Sequence, residues 1–320
     1  MSVEEPDVRE GSGSVLPAPP VPPVLDPSDG LTILRNNVES ALLALPGHFA
    51  FDNPVSGINA TDLFNLNTLM GAGIEVEVVR ALNGLRDLWD PDNDWKGYTF
   101  ERSSQAFPDV RLTFRSRERE DTKLGIELKG WFTFAKEGVP SLRYQVSPAA
   151  CALHDMVCVV PWYLSNAVSG SPRVAKPWVE SARYAAEWRD YWWEHVRREK
   201  GGKSKAVTYP VDAAPYPSKA ELVSAVPAYD GGKNFGRLPR CKPLMDAFID
   251  STMALEVLGI PVSSWVYFLK QHTDQASPEE LRLALETRAL KAMRERGEQE
   301  AEQVVSLVEQ LVRAYTGNDA

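Results

Sequence analysis

In the segment KLGIELKGW, Glu127 and Lys129 stand two residues apart. On a strand, that spacing sends both side chains out of one face while Ile126 and Leu128 leave the other. Hydrolysis of a phosphodiester needs carboxylates to hold a metal ion that polarises the phosphate, together with a group that helps the attacking water lose its proton. Glu127 suits the first task. Lys129 suits the second, and its charge also offsets that of the phosphate. Asp109 follows Pro108 at the head of DVRLTF, 18 residues before Glu127. A hairpin through the polar loop REREDT would pair the two strands and bring Asp109 beside Glu127. The two carboxylates and the Leu128 carbonyl then form an all-oxygen, hard ligand set of the kind magnesium takes. The plainer reading of Glu127 and Lys129 is the solvated face of an edge strand.

These residues need a scaffold, and the hydropathy pattern supplies one. Leu31, Ile33, Leu34, Val38, Leu42 and Leu45 recur at helical spacing up to Pro46-Gly47. A second helix is expected from about residue 60 to 88, with breaks at Gly71 and Gly73. The alternating runs YTFERS, DVRLTF and KLGIELKGWFTF read as three strands of a meander. Ser147-Pro148 opens a short helix through PAACALHD, and the apolar run MVCVVPWYL predicts a strand buried on both faces. Beyond lie a Trp-rich helix from Pro177 to about Lys200, a connection rich in Pro, Gly and Lys, a helix over Leu244 to Leu258 and a strand VSSWVYFLK. A long closing helix follows, opened by the capping box Ser277-Pro278-Glu279-Glu280.

Pro108-Asp109 and Glu127-Leu128-Lys129 resemble the motif of the PD-(D/E)xK restriction-endonuclease-like superfamily, over roughly residues 60 to 165. The resemblance implies an α/β fold, with a mixed central sheet flanked by helices and helical additions at both ends. It implies a Mg²⁺-dependent endonuclease acting on double-stranded DNA, of type II-like restriction or phage-defence character. In that superfamily an acid on the helix before the first strand often completes the metal site. Glu75 is expected there and Glu77 is held in reserve, a surface position being the alternative for either. Asp109, Glu127, Lys129 and Glu75 would be catalytic, with Asp109, Glu127, Leu128 and Glu75 as metal ligands. A homodimer suits a cutter of both strands, and a partner subunit of a defence system fits the same context. A structure-directed repair nuclease and a non-catalytic DNA-binding subunit are the rival readings.

Two basic stretches are candidate DNA contacts. WWEHVRREKGGKSK carries Arg197, Arg198, Lys203 and Lys205, and YDGGKNFGRLPRCKP carries Lys233, Asn234, Arg237 and Arg240. Their bland readings are a solvated helix end and a loop capping the core. Trp188, Trp192 and Trp193 suit packing better than base stacking. Gln145 reads as a turn-stabilising residue or a water-orienting one, and His154 and Asp155 as a helix end.

The chain as a whole sets limits. Its 320 residues carry a formal net charge of −9, so the global field opposes nucleic acid and any binding rests on local basic surface. Charged residues at 25% and apolar ones at 43% describe a globular chain. Three cysteines without CxxC spacing suggest neither a disulfide framework nor a zinc site. Residues 1–29, crowded with proline, are expected to be a disordered tail, 30–275 the nuclease body with DNA-contacting additions over about 170–275, and 276–320 a C-terminal helix and candidate interface. No apolar run reaches the ~20 residues of a membrane span, and a cytoplasmic protein is expected.

Overall fold

The computed structural model describes residues 16–51, 53–57, 62–103, 106–197 and 204–271, with Ser277 and a few positions after it. Its core is a mixed sheet with helices on both faces. Strands β1 (Thr99–Arg102), β2 (Val110–Arg115) and β3 (Glu120–Phe132) form the expected meander. β4 (Met156–Leu164) then lies parallel to β3, and β5 (Pro172–Val174) and β6 (Trp178–Ser181) pair antiparallel along β4. Among the described residues only β3 and β4 run parallel, the arrangement expected where the chain crosses over rather than turning tightly.

Alternation along β3 divides two apolar layers. Ile126 and Leu128 join Met156, Cys158 and Val160 beneath helices α1 (Gly30–Leu43) and α2 (Leu66–Gly84). Trp131 joins Val157 and Val159 on the opposite face, under segment 142–151 and helix α3 (Ala182–Tyr191). Residues 127 and 129 share the parity of Trp131. The pair therefore faces that second layer. Every residue of β4 except Tyr163 is buried, as its unbroken apolar run requires.

Several expected elements come out differently, each for a local reason. Helix α2 runs unbroken through Gly71 and Gly73. The expected strand VSSWVYFLK is helix α5 (Val262–Gln271), because its buried residues Val262, Trp265, Val266 and Leu269 follow helical spacing, which outweighs its β-branched and aromatic content. The Trp-rich helix begins only at Ala182, where Ser181 caps it; Trp178–Ser181 before it is taken up as a strand by β4. PAACALHD makes one 3₁₀ turn, Pro148–Ala150. The helix expected to end at Leu258 is α4 (Asp246–Met253), and Leu258 and Gly259, both at positive φ, form the turn of a hairpin after it.

Residues 16–28 contain no helix or strand, and Pro17 accepts a hydrogen bond from the Tyr191 hydroxyl. Ser277 and Glu280 exchange the two bonds of a capping box. Most of the segment expected to be the closing helix lies outside the described residues. All three cysteines are free and buried. Among the described residues no helix is long and apolar enough to cross a membrane.

Candidate active site

The site forms where β2 stops covering β3. Pairing of the two strands ends at Val110 opposite Ile126. Beyond that point the β3 amides that faced β2 lack a backbone partner, and buried amides without partners are costly. Three side chains take them in turn. Leu128 N donates to Asp109 Oδ2 at 3.3 Å, Gly130 N to Glu75 Oε1 at 3.5 Å, and Phe132 N to Asn67 Oδ1 at 2.9 Å. Asn67, Gly71 and Glu75 recur every four residues and so form one row along α2, which brings its polar groups to this edge.

Asp109 sits just ahead of β2, turned back along β3. Its position is fixed by close packing, since a Cβ on Gly125 would fall 2.3 Å from Pro108 Cγ and 3.0 Å from Asp155 Oδ1. Only glycine leaves room there. Asp155 itself accepts from Gly125 N at 2.7 Å, Ala152 N at 2.8 Å and the Tyr216 hydroxyl at 2.8 Å. It is a buried brace behind the site.

The expected residues Glu75, Asp109, Glu127 and Lys129 are thus brought together from a helix, a strand entrance and one strand. Lys129 Nζ lies 3.9 Å from Glu75 Oε1, and Arg102, at the end of β1, lies 3.7 Å from the other oxygen of Glu75. Glu77 points elsewhere and pairs with Arg80 at 2.6 Å, which decides between the two candidate acids in favour of Glu75. Arg102 and Asn67 carry no motif. Arg102 reads as an ordinary strand-end charge, and Asn67 is recognisable only once the helix and the open edge of β3 are both known.

The carboxylates disturb one another. Burial, then the Glu75 charge, raises the Asp109 carboxyl to about 6, against the opposing pull of the Leu128 amide, Lys129 and Arg102. Burial, then Asp109, raises Glu127 to about 8. The two titrate as one interacting system. Glu127 therefore keeps its proton near neutral pH, and a cation bound beside Asp109 and Glu127 would displace it.

Among the described residues no three His, Cys, Asp or Glu side chains stand at metal-ligand spacing. The donor set nevertheless fits magnesium in kind: Asp109, Glu127 and Glu75 offer only oxygens. In a strand the N–H and C=O of one residue face the same neighbour, so the Leu128 carbonyl faces the Asp109 side as its amide does. The bonds from Leu128 and Gly130 to the carboxylates are long, and a cation would compete with them readily.

The second basic stretch lies on the face of the sheet that Glu127 and Lys129 share. Tyr144 N donates to Gly236 O at 2.6 Å, and the Glu127 charge is among those raising the buried Tyr144 hydroxyl. Lys233, Arg237 and Arg240 are exposed; the Asn234 side-chain oxygen accepts from Arg240. In the first stretch, Arg197 stacks 3.9 Å from the Trp193 ring centroid and Lys205 donates to the Arg197 carbonyl; Arg198 and Lys203 lie outside the described residues. Trp193 meets Phe235 edge-on at 5.2 Å, joining the two stretches. Trp188 donates to Cys241 O at 3.0 Å, a packing role. Gln145 is half-buried, its carbonyl bound by Ala225 N, and His154 sits 3.2 Å from Thr32 Oγ1. No family model, no curated protein and no solved structure matches the chain.

Proposed function

We propose that the chain is a Mg²⁺-dependent endonuclease with a restriction-endonuclease-like core, hydrolysing phosphodiester bonds of double-stranded DNA in a restriction or phage-defence role. The observation that carries the reading is the convergence of Glu75, Asp109, Glu127 and Lys129 at the one stretch of β3 that β2 leaves uncovered. Separate charged surface residues have no reason to share half-buried positions in which the carboxylates repel one another, because their isolation in water would be more favourable. The order of the elements adds support: an acid-bearing helix, an antiparallel meander, and then a strand parallel to the one that carries Glu127.

Asp109, Glu127, the Leu128 carbonyl and Glu75 are the groups that would hold magnesium. When bound, the metal supplies Lewis-acid polarisation of the phosphate and a more acidic water. Lys129 is held on the same strand face as Glu127, where its ammonium can orient the attacking water and offset charge on phosphorus-bound oxygens. Arg102, beside Glu75, adds a second positive charge at the mouth of the site. In the reaction a water oxygen bonds to phosphorus as the bond to the leaving sugar oxygen breaks.

Incubating the purified protein with plasmid DNA and Mg²⁺, alongside EDTA and Lys129→Ala controls, tests this directly. Discrete Mg²⁺-dependent fragments that disappear in the variant are expected. Failure to cut either methylated or unmethylated DNA would overturn the enzymatic reading and leave a DNA-binding subunit.

A further inference from the structure

We propose that the chain binds a nucleotide by its phosphate in the cleft between Arg143, Arg237 and Arg240, a pocket within the second basic stretch and apart from the carboxylate site. The inference deepens the reading of that stretch as a nucleic-acid contact and rests on the geometry of the cleft, not on cleavage. Arg143 and Arg237 are direct partners in an antiparallel bridge between two extended segments. That register puts their side chains on one side with Cβ atoms about 5 Å apart, where like charges destabilise the pairing. Arg240 adds a third guanidinium to the same cleft, which has a volume near 450 Å³, in the usual range for a small-molecule site.

The cluster is built, not incidental. Asp230 takes one of the three, accepting from Arg143 at 3.2 Å, and Arg143 Nε also donates to Phe235 O at 3.2 Å. Arg240 is tied to the Asn234 side chain. Beneath them the fully buried Arg189 pins the strand-like segment by donating to Tyr144 O at 2.9 Å and Val146 O at 2.8 Å. Gly236, at φ +83°, lets the loop come so close that a Cβ would lie 2.8 Å from Tyr144 O. Arg237 alone is exposed with no hydrogen bond or ion pair from its guanidinium among the described residues.

Two guanidiniums fixed and one available form a receptor for a tetrahedral anion with several acceptor oxygens, since planar guanidinium donors match phosphate in pairs. The rest of the wall argues for more than a bare anion. Ser141 and Glu137 line the rest of the wall, a hydroxyl and an acceptor suited to a base amino group, over the buried Pro140 and Pro239. A phosphate joined to a planar, hydrogen-bonding ring satisfies all of these, whether it is a free nucleotide or one unit of a strand.

The test is fluorescence anisotropy with the full chain in EDTA, using a short labelled single-stranded DNA, with ATP and inorganic phosphate as competitors. The labelled strand is expected to bind, and Arg237→Glu and Arg240→Glu each to weaken it by about tenfold or more, while Arg237→Lys, which keeps the charge but not the paired donors, weakens it less than Arg237→Glu does. The Arg237 variants should melt no lower than the parent, because that side chain holds nothing in place and faces the like charge of Arg143. Competition by ATP identifies a free nucleotide as a sufficient ligand, and its absence with intact strand binding identifies a strand unit. The proposal is overturned if neither the strand nor ATP binds, if Arg237→Glu binds normally, or if inorganic phosphate competes as well as ATP. Plasmid cleavage is a separate readout, so loss of the nuclease reading would leave this result unaffected.

Discussion

Charge at close quarters governs the chemistry of individual side chains here. Asp109→Asn, Glu127→Gln and Lys129→Ala are each expected to lower the Mg²⁺-dependent cleavage rate by about 10²–10⁴-fold, the range set by loss of a positioned acid, base or ligand. Single-turnover cutting of a labelled duplex measures this. The raised carboxyls also fix the pH behaviour. Protons compete with metal for Asp109 and Glu127, so apparent Mg²⁺ affinity should climb as pH rises through about 6 to 8 and level off above that range. Calorimetric titration at several pH values would show a flat profile if the carboxylates were not the ligands. The stability sign runs opposite to that of an ordinary salt-bridged acid. Because the folded state binds these protons more tightly than the unfolded chain, stability falls as pH rises from about 4 through the folded values. Without divalent metal, Asp109→Asn should therefore melt higher than the parent at pH 8, by on the order of 1–3 kcal/mol, and about equally at pH 4. A lower melting point at pH 8 would contradict the repulsion argument.

Elements place those side chains by leaving one strand edge open and closing it with polar groups. The Asn67 bond to Phe132 N is the shortest of the three edge bonds. Asn67→Ala should cost about 1–3 kcal/mol through the unbonded amide, whereas Asn67→Asp, which keeps an acceptor, should cost less. Urea denaturation of both variants separates this from a simple loss of packing. Gly125 is the tighter constraint, since any side chain there meets the ring of Pro108 and the oxygen of Asp155. Gly125→Ala is expected to destabilise the fold by about 1–3 kcal/mol and to reduce cleavage as well, because relief of the clash moves Pro108 and with it Asp109. Full activity in that variant would show that Asp109 is not positioned by this contact.

Across the whole molecule, a net charge of −9 confines any nucleic-acid contact to restricted surface. The two basic stretches, joined through Trp193 and Phe235, are the face proposed for it, on the same side of the sheet as Glu127. Affinity for duplex DNA should accordingly fall steeply with salt, by roughly one logarithmic unit of slope per phosphate contacted. Arg240→Ala should reduce that slope by about one, in anisotropy titrations over a range of salt concentrations. A slope near zero would place binding elsewhere. The proposed cutting of both strands calls for a homodimer, and sedimentation that gives monomers with and without DNA would oppose it.

The amino-acid sequence by itself determined what local pattern and residue chemistry can determine. Period-two alternation marked the meander, the unbroken apolar run marked β4, and spacing alone put Glu127 and Lys129 on one strand face. It misread VSSWVYFLK, where strand-forming residue types coincide with helical spacing and only burial beneath the core settles the matter. It misread Trp178–Ser181 too, because a strand can be completed by a neighbour distant in sequence. Tertiary structure alone decided that Glu75 and not Glu77 reaches the site, for which of two acids two residues apart on a helix faces the sheet depends on how that helix packs. The same holds for Asn67, Arg102 and the Arg143–Arg237 pair. Their roles arise from groups brought together across the fold, and a linear pattern contains no signal of that distance.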